Sequence, residues 1–341
     1  MQSPSITILV PCYNEGKTIR KCAEHWLDQT HPADEIIVVD DCSTDNTREV
    51  LQEFSDRIKV IALPKNTGNK SFVQEEGLRH VVTDVFIATD ADTIMDRHFV
   101  KRVYDAFQDE KVMAFAGYIQ SLKCNWLTAC REIDYLIGQD LHKVAQNNIR
   151  FLFVIPGCAG AFRTATFKEH ITFDHDTLTE DLDFTYKTNK GGHEIVYDRR
   201  AIVYTQDPRD LKSYINQMRR WYSGGWQNLI KHIDAAKRPT AALELSLIYI
   251  EGMFFSVLLF VLPIINIRAA AIVLIPYAAL VLLLGSYAAL RRRRPDLLLY
   301  APAYVILSYL HAYILLEQFV KEIIFRKRNL TWFHPERREI V

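Results

Sequence analysis

The sequence lacks a dominant charge of one sign. Its 341 residues include 41 lysines and arginines and 41 aspartates and glutamates, so the formal charge is zero. Proteins whose default partner is nucleic acid are usually strongly basic, and we therefore expect no nucleic-acid partner. The balance is uneven along the chain: most acids precede residue 241, whereas apolar runs and arginine clusters alternate after it.

Closely spaced cysteines and an N-terminal apolar leader are also lacking. No two cysteines form a Cys-x-x-Cys pair and no His/Cys group has zinc spacing, so we expect reduced thiols. The N-terminal residues MQSPSITILVPCYNE resemble the start of a folded domain more than a signal peptide. The six cysteines are Cys12, Cys22, Cys42, Cys124, Cys130 and Cys158.

Short apolar runs rich in Val and Ile alternate with longer amphipathic segments over the first 120 residues. This alternation predicts βαβ units, and so an α/β fold with a mostly parallel sheet covered by helices on both faces. A strand, a tight turn and a second strand are expected over 151–167, and helices over 177–192 and 210–233, the latter with a possible break at Gly224-Gly225. Strands are predicted at 6–10, 35–40, 58–63, 84–90, 112–117 and 193–198.

Acidic residues follow three of the predicted strands, in PCYNE (11–15), DDCSTDNT (40–47) and TDADT (89–93). Ligands of parallel α/β sheets bind at the carboxyl ends of the strands. Neighbouring acids repel one another, so these carboxylates require a cation or the donor groups of a ligand. The sequence therefore predicts a binding site at this edge of the sheet.

Three apolar runs, at 242–267, 269–290 and 297–316, are long enough to cross a membrane, which takes about 20 residues. Basic residues flank the first run and follow the second, and positive residues stay cytoplasmic. The first two runs therefore predict a tight hairpin with the preceding domain in the cytoplasm. If the third run also crossed, the basic tail would lie outside, against this rule. Three spans are favoured, and a re-entrant or interfacial third segment is the alternative.

The expected organisation has four parts. Residues 1–209 form a cytosolic domain, and 210–240 form an amphipathic helix region at the membrane interface. Residues 241–325 form the membrane domain, and 326–341 form a basic tail.

Five motifs occur in the order PCYNE, DD (40–41), DAD (90–92), TED (179–181) and QMRRW (217–221). Together with the apolar runs, they resemble the membrane-integrated family 2 glycosyltransferases of GT-A fold. The resemblance is to the processive branch of chitin-oligosaccharide, poly-N-acetylglucosamine, hyaluronan and cellulose synthases, and it covers roughly residues 5–235.

The resemblance implies an inverting transferase that moves a sugar from a UDP-linked donor to a growing β-linked saccharide at the plasma (inner) membrane. One alternative is transfer of a single sugar to a ceramide or polyprenyl-phosphate lipid. Three spans would enclose only a thin channel, which favours that alternative or a homo-oligomer. A second alternative is a membrane-anchored nucleotide-binding subunit without catalysis, which would have no need of the TED motif.

The resemblance also implies the donor-side residues. Asp92 is expected to bind Mg²⁺ or Mn²⁺, and Asp90 to contact the ribose or a metal-bound water; alternate residues of an extended chain point the same way. Of the two neighbouring acids, Asp41 is preferred over Asp40 as the residue that contacts the uracil base of the nucleotide. Cys42 stands where the family usually has Gly or Ala. Pro11 is expected to end its strand. The residues expected to bind the nucleotide are Pro11, Tyr13, Glu15, Asp40, Asp41, Lys70 and Asp90.

On the acceptor side, the resemblance implies Asp181 as the general base, with Glu180 and Asp183 nearby on the same helix. Gln217, Arg220 and Trp221 recur at i, i+3 and i+4 and so share one helical face. Arg220 is expected to pair with the leaving diphosphate and Trp221 to stack on the acceptor sugar, while Arg219 meets lipid headgroups. An interface helix anchored by tryptophans is the plainer interpretation. The acceptor-binding set is Gly157, Cys158, Gly160 and Trp221.

Overall fold

The computed structural model describes residues 3–327, 330, 338 and 339. The chain divides into two compact units, which are treated separately below. The first unit comprises Met1–Gln120, Gln146–Gln206 and His334–Val341, and the second comprises Ser121–Ala145 and Asp207–Phe333.

Eight strands form one mixed sheet in the order β3-β2-β1-β4-β7-β6-β8-β5. β1 pairs in parallel with β2 and β4, and β2 with β3, whereas β7 is antiparallel to β4 and β6, and β5 to β8. The strands are β1 (Ile6–Cys12), β2 (Glu35–Asp40), β3 (Lys59–Ala62), β4 (Val85–Ala88), β5 (Ile94–Met95), β6 (Val112–Ser121), β7 (Gly160–Arg163) and β8 (Glu194–Thr205).

The helices of the described residues alternate with the strands at first and dominate the chain later. Four of them continue into π-helical turns. They are α1 (Ile19–Leu27), α2 (Thr47–Gln52), α3 (Lys70–His80), α4 (Phe99–Ala106), α5 (Trp126–Leu136), α6 (Val144–Asn148), α7 (Thr164–Thr166), α8 (Glu180–Gly191), α9 (Leu211–Lys231), α10 (Pro239–Leu245), α11 (Gly252–Ile265), α12 (Ile267–Arg292) and α13 (Asp296–Phe319).

The predicted α/β architecture is confirmed in the first unit. Ile6, Ile8 and Val10 of β1 are fully buried, as are the central residues of β2, because helices cover both faces of the parallel strands. The predicted stop after α8 is also present. Gly192 takes a left-handed conformation (φ 73°) there, which costs glycine no steric strain.

The strand predicted at 151–155 is wrong. The backbone of this segment is held by side chains of α8 rather than by a neighbouring strand. Ile155 N donates to Thr185 Oγ1 (2.9 Å), and Asn189 Nδ2 donates to Leu152 O (2.7 Å). An apolar run of this length is compatible with a strand. Here, however, polar side chains of α8 supply the hydrogen bonds that a neighbouring strand would otherwise make.

The second unit contains three helices that are long and apolar enough to cross a membrane: Pro239–Ile265, Ile267–Arg292 and Asp296–Ile324. They are called the first, second and third apolar helix below. Asn266 alone links the first to the second, which confirms the tight turn. α5 and α9 pack on the third apolar helix through buried residues that include Leu127, Tyr214 and Leu307.

α9 runs unbroken through the glycine pair where a break was thought possible. The Tyr249 hydroxyl donates to Gly225 O (2.9 Å), and a Cβ on Gly225 would lie 3.2 Å from that hydroxyl. The glycine therefore lets another helix approach closely and does not end this one.

Candidate active site

The parallel pairing of the sheet brings three acidic motifs to one edge. β1 pairs with β2 up to Cys12 and Asp40, and with β4 up to Leu9 and Ala88. The segments that follow these strands therefore leave the sheet on the same side. The residues of PCYNE, the Asp40-Asp41 pair and the Asp90-Ala91-Asp92 motif lie there, as predicted from the sequence.

The first motif is tied to the third through Thr18. Its hydroxyl lies 2.8 Å from Glu15 Oε2 and 3.0 Å from Ala91 O. Glu15 is buried, whereas Tyr13 is partly exposed. Pro11 does not end β1 as expected, since the strand continues to Cys12 and Pro11 lies opposite Val39.

The carboxylates of the second motif hold neighbouring loops. Asp40 is fully buried and pairs with Arg48, and it accepts from Ser43 N (3.1 Å). Asp41 accepts from Thr67 N (2.8 Å) and Thr67 Oγ1 (3.0 Å). Burial raises the pKa of Asp41, although the hydrogen bonds from Thr67 act against this. Asp41 thus shapes the loop that leads into α3, a role that the sequence did not reveal.

The backbone explains the unusual residue after this pair. Cys42 has φ 61°, in the left-handed region that glycine adopts without strain. This conformation favours glycine, which is one of the two residues that the family usually carries at the position.

Lys70, the first residue of α3, joins the third and fourth motifs. Its Nζ lies 2.6 Å from Asp90 Oδ1 and 3.0 Å from Glu180 Oε1. Burial alone would lower the pKa of Lys70, but Asp90 and Glu180 raise it above its ordinary value, so the ammonium stays charged. The sequence predicted Lys70 beside a nucleotide but did not predict its link to Glu180.

Gly157 lies directly against this group. A Cβ at Gly157 would stand 3.3 Å from Lys70 Nζ, 3.4 Å from Glu180 Oε1 and 3.5 Å from Asp181 Cβ. The absence of a side chain at Gly157 therefore leaves the space between Lys70 and Asp181 unfilled by this residue.

The two other residues predicted for acceptor binding have different surroundings. Cys158 is buried, and its carbonyl accepts from Thr89 Oγ1 (3.0 Å) at the end of β4. Burial, followed by the charge of Asp90, raises the pKa of the Cys158 thiol well above its usual range. Gly160 is the first residue of β7, and a Cβ there would lie 2.9 Å from Ile155 Cγ2. The structure therefore gives Gly160 a packing role.

The three acids at the start of α8 differ in their surroundings. Glu180 is bound to Lys70, and Asp183 is buried with its carboxylate 2.9 Å from Lys187 Nζ. Asp181 is partly exposed, and one of its oxygens accepts from Leu182 N (2.9 Å). Of the three acids, Asp181 is the one that is not buried.

Asp92 and Asp90 present carboxylate oxygens, the donors that Mg²⁺ and Mn²⁺ prefer. Asp92 is almost fully buried and accepts from Thr93 Oγ1 (3.1 Å), while Asp90 is about one-third exposed beside Lys70. The chemistry of these two carboxylates fits a divalent cation.

A second acidic cluster lies elsewhere in the first unit. Ligand atoms of Asp174, Asp176 and Asp183 lie within 4.8 Å of one another. However, Lys187 Nζ is 2.7 Å from Asp174 and 2.9 Å from Asp183, so a lysine already offsets part of this charge.

The QMRRW residues belong to the second unit, on α9. Gln217, Arg220 and Trp221 share one face of this continuous helix. The guanidinium of Arg131 lies 4.8 Å from the Trp221 ring. Arg219 pairs with Glu317 through two contacts of 2.8 and 3.1 Å.

Arg131 was not predicted from the sequence. It is 1% exposed and pairs with Asp134 and, at 3.4 Å, with the equally buried Asp207. Its guanidinium also lies 4.5 Å from the Tyr135 ring. A buried arginine with two acids and aromatic faces is typical of a site that fixes the position of its neighbours.

Comparison with known proteins gives a consistent result. A family model described as "Glycosyltransferase like family 2" matches residues 4–224. The poly-beta-1,6-N-acetyl-D-glucosamine synthase of Staphylococcus epidermidis is 28% identical over 234 residues, which is 67% of this chain and 57% of that protein. The probable glycosyltransferase YdaM of Bacillus subtilis (strain 168) is 29% identical over 240 residues, with the same coverage. The chain thus spans just over half the length of these relatives.

Solved structures show the same fold. The mannosyltransferase PcManGT from Pyrobaculum calidifontis, in complex with GDP-Man and Mn²⁺, has a TM-score of 0.59 at 20% identity, covering 96% of this chain and 89% of that one. S. aureus TarS 1-349 with UDP-GlcNAc has a TM-score of 0.55 at 17% identity, covering 92% and 91%. The predicted GT-A fold is confirmed.

Proposed function

We propose a specific reaction for this chain, which belongs to the glycosyltransferase like family 2 and is therefore a glycosyltransferase. In this reaction a sugar moves, with inversion, from a UDP-linked donor to a growing β-linked saccharide. The reaction depends on a divalent cation, takes place at the plasma (inner) membrane and has the first unit in the cytoplasm. The names of the poly-N-acetylglucosamine synthases among the relatives support N-acetylglucosamine as the sugar to test first.

One observation carries this proposal. Lys70 is bound to Asp90, which follows β4, and to Glu180, which precedes Asp181 on α8. Gly157 leaves open the space beside them. The Lys70 ammonium and the partly exposed Asp181 therefore both lie beside the space at Gly157, and a transfer between a diphosphate donor and a hydroxyl acceptor requires such a positive charge and such a carboxylate.

On the donor side, Tyr13, Glu15 and Asp41 contact the nucleotide, together with Pro11 and Asp40. Asp92 would hold Mg²⁺ or Mn²⁺ with support from Asp90. When bound, the cation would offset the negative charge of the diphosphate. Lys70 adds a fixed positive charge beside Asp90.

On the acceptor side, Asp181 accepts the proton of the acceptor hydroxyl. The hydroxyl oxygen forms a bond to the anomeric carbon on the face opposite the diphosphate, and the bond from that carbon to the diphosphate oxygen breaks. The leaving diphosphate takes the electron pair. The backbone at Gly157 and Cys158 lines the acceptor, and Gly160 supports that segment. In the second unit, Arg220 pairs with the diphosphate, Trp221 stacks on the acceptor and Gln217 orients them.

Transfer of one sugar to a lipid acceptor is the second candidate. It is favoured by the small number of apolar helices among the described residues, three, which provide little surface to enclose a polymer. A homo-oligomer would provide more.

The test uses purified protein in lipid nanodiscs with UDP-GlcNAc, other UDP-sugars or GDP-Man, each with Mn²⁺ or Mg²⁺. We expect release of UDP from one UDP-sugar and a saccharide product of several units. Release of UDP with a product that carries one sugar on lipid would support the second candidate. Turnover of GDP-Man alone would contradict the proposed donor.

A further inference from the structure

Two residues on either side of the apolar helices touch each other. Gln206 Nε2 donates to Arg338 O (2.9 Å), and Arg338 N donates to Gln206 Oε1 (3.2 Å). Both residues belong to the first unit. Residues in contact lie on the same side of any membrane, so the chain between them crosses it an even number of times. All three apolar helices lie between these residues, and three single crossings are therefore excluded.

The first and second apolar helices form a pair. Asn266 is their only link, and the rings of Phe255 and Tyr277 on opposite arms are 4.9 Å apart. The arms therefore run back along each other, and such a hairpin enters and leaves the membrane on one side. The third apolar helix is not part of this hairpin, so its path decides the number of crossings.

The path of the third apolar helix differs from that of a third crossing. Near its start, Ala301 lies against Gly285: a Cβ added to Gly285 would be 2.8 Å from the Cβ of Ala301. In its middle, Tyr309 meets Phe260, with ring centroids 6.4 Å apart. Further on, Leu315 lies against Gly252: a Cβ added to Gly252 would be 3.4 Å from Cδ2 of Leu315.

These contacts first approach the hairpin turn and then leave it. Phe260 is close to Asn266 along the chain, whereas Gly285 and Gly252 are both far from it. A third crossing would start at the open end of the hairpin and contact residues ever nearer the turn. The third apolar helix instead has both of its ends beside the open end.

One face of the third apolar helix carries polar groups that bind α5 and α9. The Tyr304 hydroxyl donates to Asp134 Oδ1 (3.0 Å), His311 bonds the Tyr214 hydroxyl, and Glu317 pairs with Arg219 at 2.8 Å. If this helix crossed the membrane, Tyr304 and the Arg131–Asp134 ion pair beside it would lie deep in the hydrocarbon. Ionisable side chains at the bilayer centre are costly and rare.

The face away from these partners is apolar along the whole helix. Leu299, Ile306, Tyr313 and Val320 are exposed and recur every seven residues, which places them on one side. We propose that this face, the "leaflet face", binds the lipid of a single leaflet on the side of the first unit, and that the chain crosses the membrane only twice. The inference does not rest on the proposed reaction.

Cysteine labelling in sealed vesicles tests the crossing number. The more accessible native cysteines, Cys42 and Cys124, are first replaced by serine, and retained folding is checked by size-exclusion chromatography. Single reporters Lys65→Cys, Arg268→Cys and Lys327→Cys, all at exposed positions, then report the first unit, the hairpin turn and the end of the third apolar helix. An impermeant maleimide should label the reporters at 65 and 327 from one side and the reporter at 268 from the other. Labelling of 327 together with 268, or of all three from one side, would overturn the proposal.

Depth measurement tests the leaflet face without relying on the same variants. A fluorophore attached at Leu299→Cys, Ile306→Cys or Tyr313→Cys in lipid bilayers is quenched by nitroxides at known depths. The three positions should share one shallow depth near the headgroups. The midpoint of this helix is residue 310, so a crossing helix would place residues 306 and 313 near the bilayer centre and residue 299 near one surface. That result would overturn the proposal. Detergent-solubilised samples confirm that each position reacts.

Discussion

Removal of the Lys70 ammonium should destabilise the first unit through the carboxylate of Glu180. The side chain of Glu180 is 6% exposed, and that of its partner Lys70 is 15% exposed. In Lys70→Met, Glu180 keeps an uncompensated charge in a buried position unless it takes up a proton. Protonating an ordinary glutamate at pH 7 costs about 4 kcal/mol, which sets an upper limit on the loss. Breaking a buried ion pair costs a similar amount, about 3–5 kcal/mol.

The assay is the melting temperature of purified protein in nanodiscs, followed by intrinsic fluorescence. A loss of about 3–4 kcal/mol corresponds to roughly 6–12 °C at about 2–3 °C per kcal/mol for a unit of this size. The double variant Lys70→Met/Glu180→Gln removes both charges and should recover more than half of this loss. Lys65→Met is the control, since Lys65 is exposed.

The wild-type pH dependence follows from the raised pKa of Lys70. Stability from a raised lysine pKa is fully present below the ordinary value near 10.4 and is lost only as pH rises through the folded value. The contribution of Lys70 to the stability of the first unit should therefore stay constant from pH 6 to 9. A melting temperature of Lys70→Met within about 2 °C of wild type, or no recovery in the double variant, would refute this account of the ion pair.

Three further predictions concern single residues. Gly157→Ala should lower turnover by about tenfold or more with little change in melting temperature, because its Cβ would crowd Lys70 Nζ at 3.3 Å, whereas Gly138→Ala meets nothing within 4 Å and should be neutral. Arg131→Met leaves the buried Asp207 without its arginine and should cost about 3–5 kcal/mol of unfolding free energy, measured by denaturant titration. EDTA should abolish turnover, and Mn²⁺ or Mg²⁺ should restore it in wild type but not in Asp92→Ala; full activity in EDTA would contradict the metal role.

The parts of the fold that follow local periodicity could be predicted. Buried strands β1, β2 and β4 and the hairpin at Asn266 are encoded by continuous apolar runs, and the carboxyl ends of parallel strands bring their motifs together. The family resemblance, drawn from five short motifs in order, is confirmed by the match over residues 4–224.

The parts that depend on distant partners could not be predicted. The link between Lys70 and Glu180 joins residues far apart in sequence, and no local pattern marks it. α5 was missed because its buried face includes Arg131 and Glu132, which breaks the apolar period that signals a helix. The segment at 151–155 was misjudged because Thr185 and Asn189 supply its hydrogen bonds.

The most direct test of the proposed reaction is Asp181→Asn, measured for both transfer and nucleotide binding. The variant should lose about 10²–10⁴-fold in sugar transfer, the usual contribution of a general base. Its affinity for UDP should stay within about threefold of wild type, because the proposed reaction places this carboxylate on the acceptor side. The control Asp176→Asn removes an exposed acid of the second acidic cluster and should keep full activity. Transfer by Asp181→Asn within about threefold of wild type would contradict the assignment of Asp181 as the base.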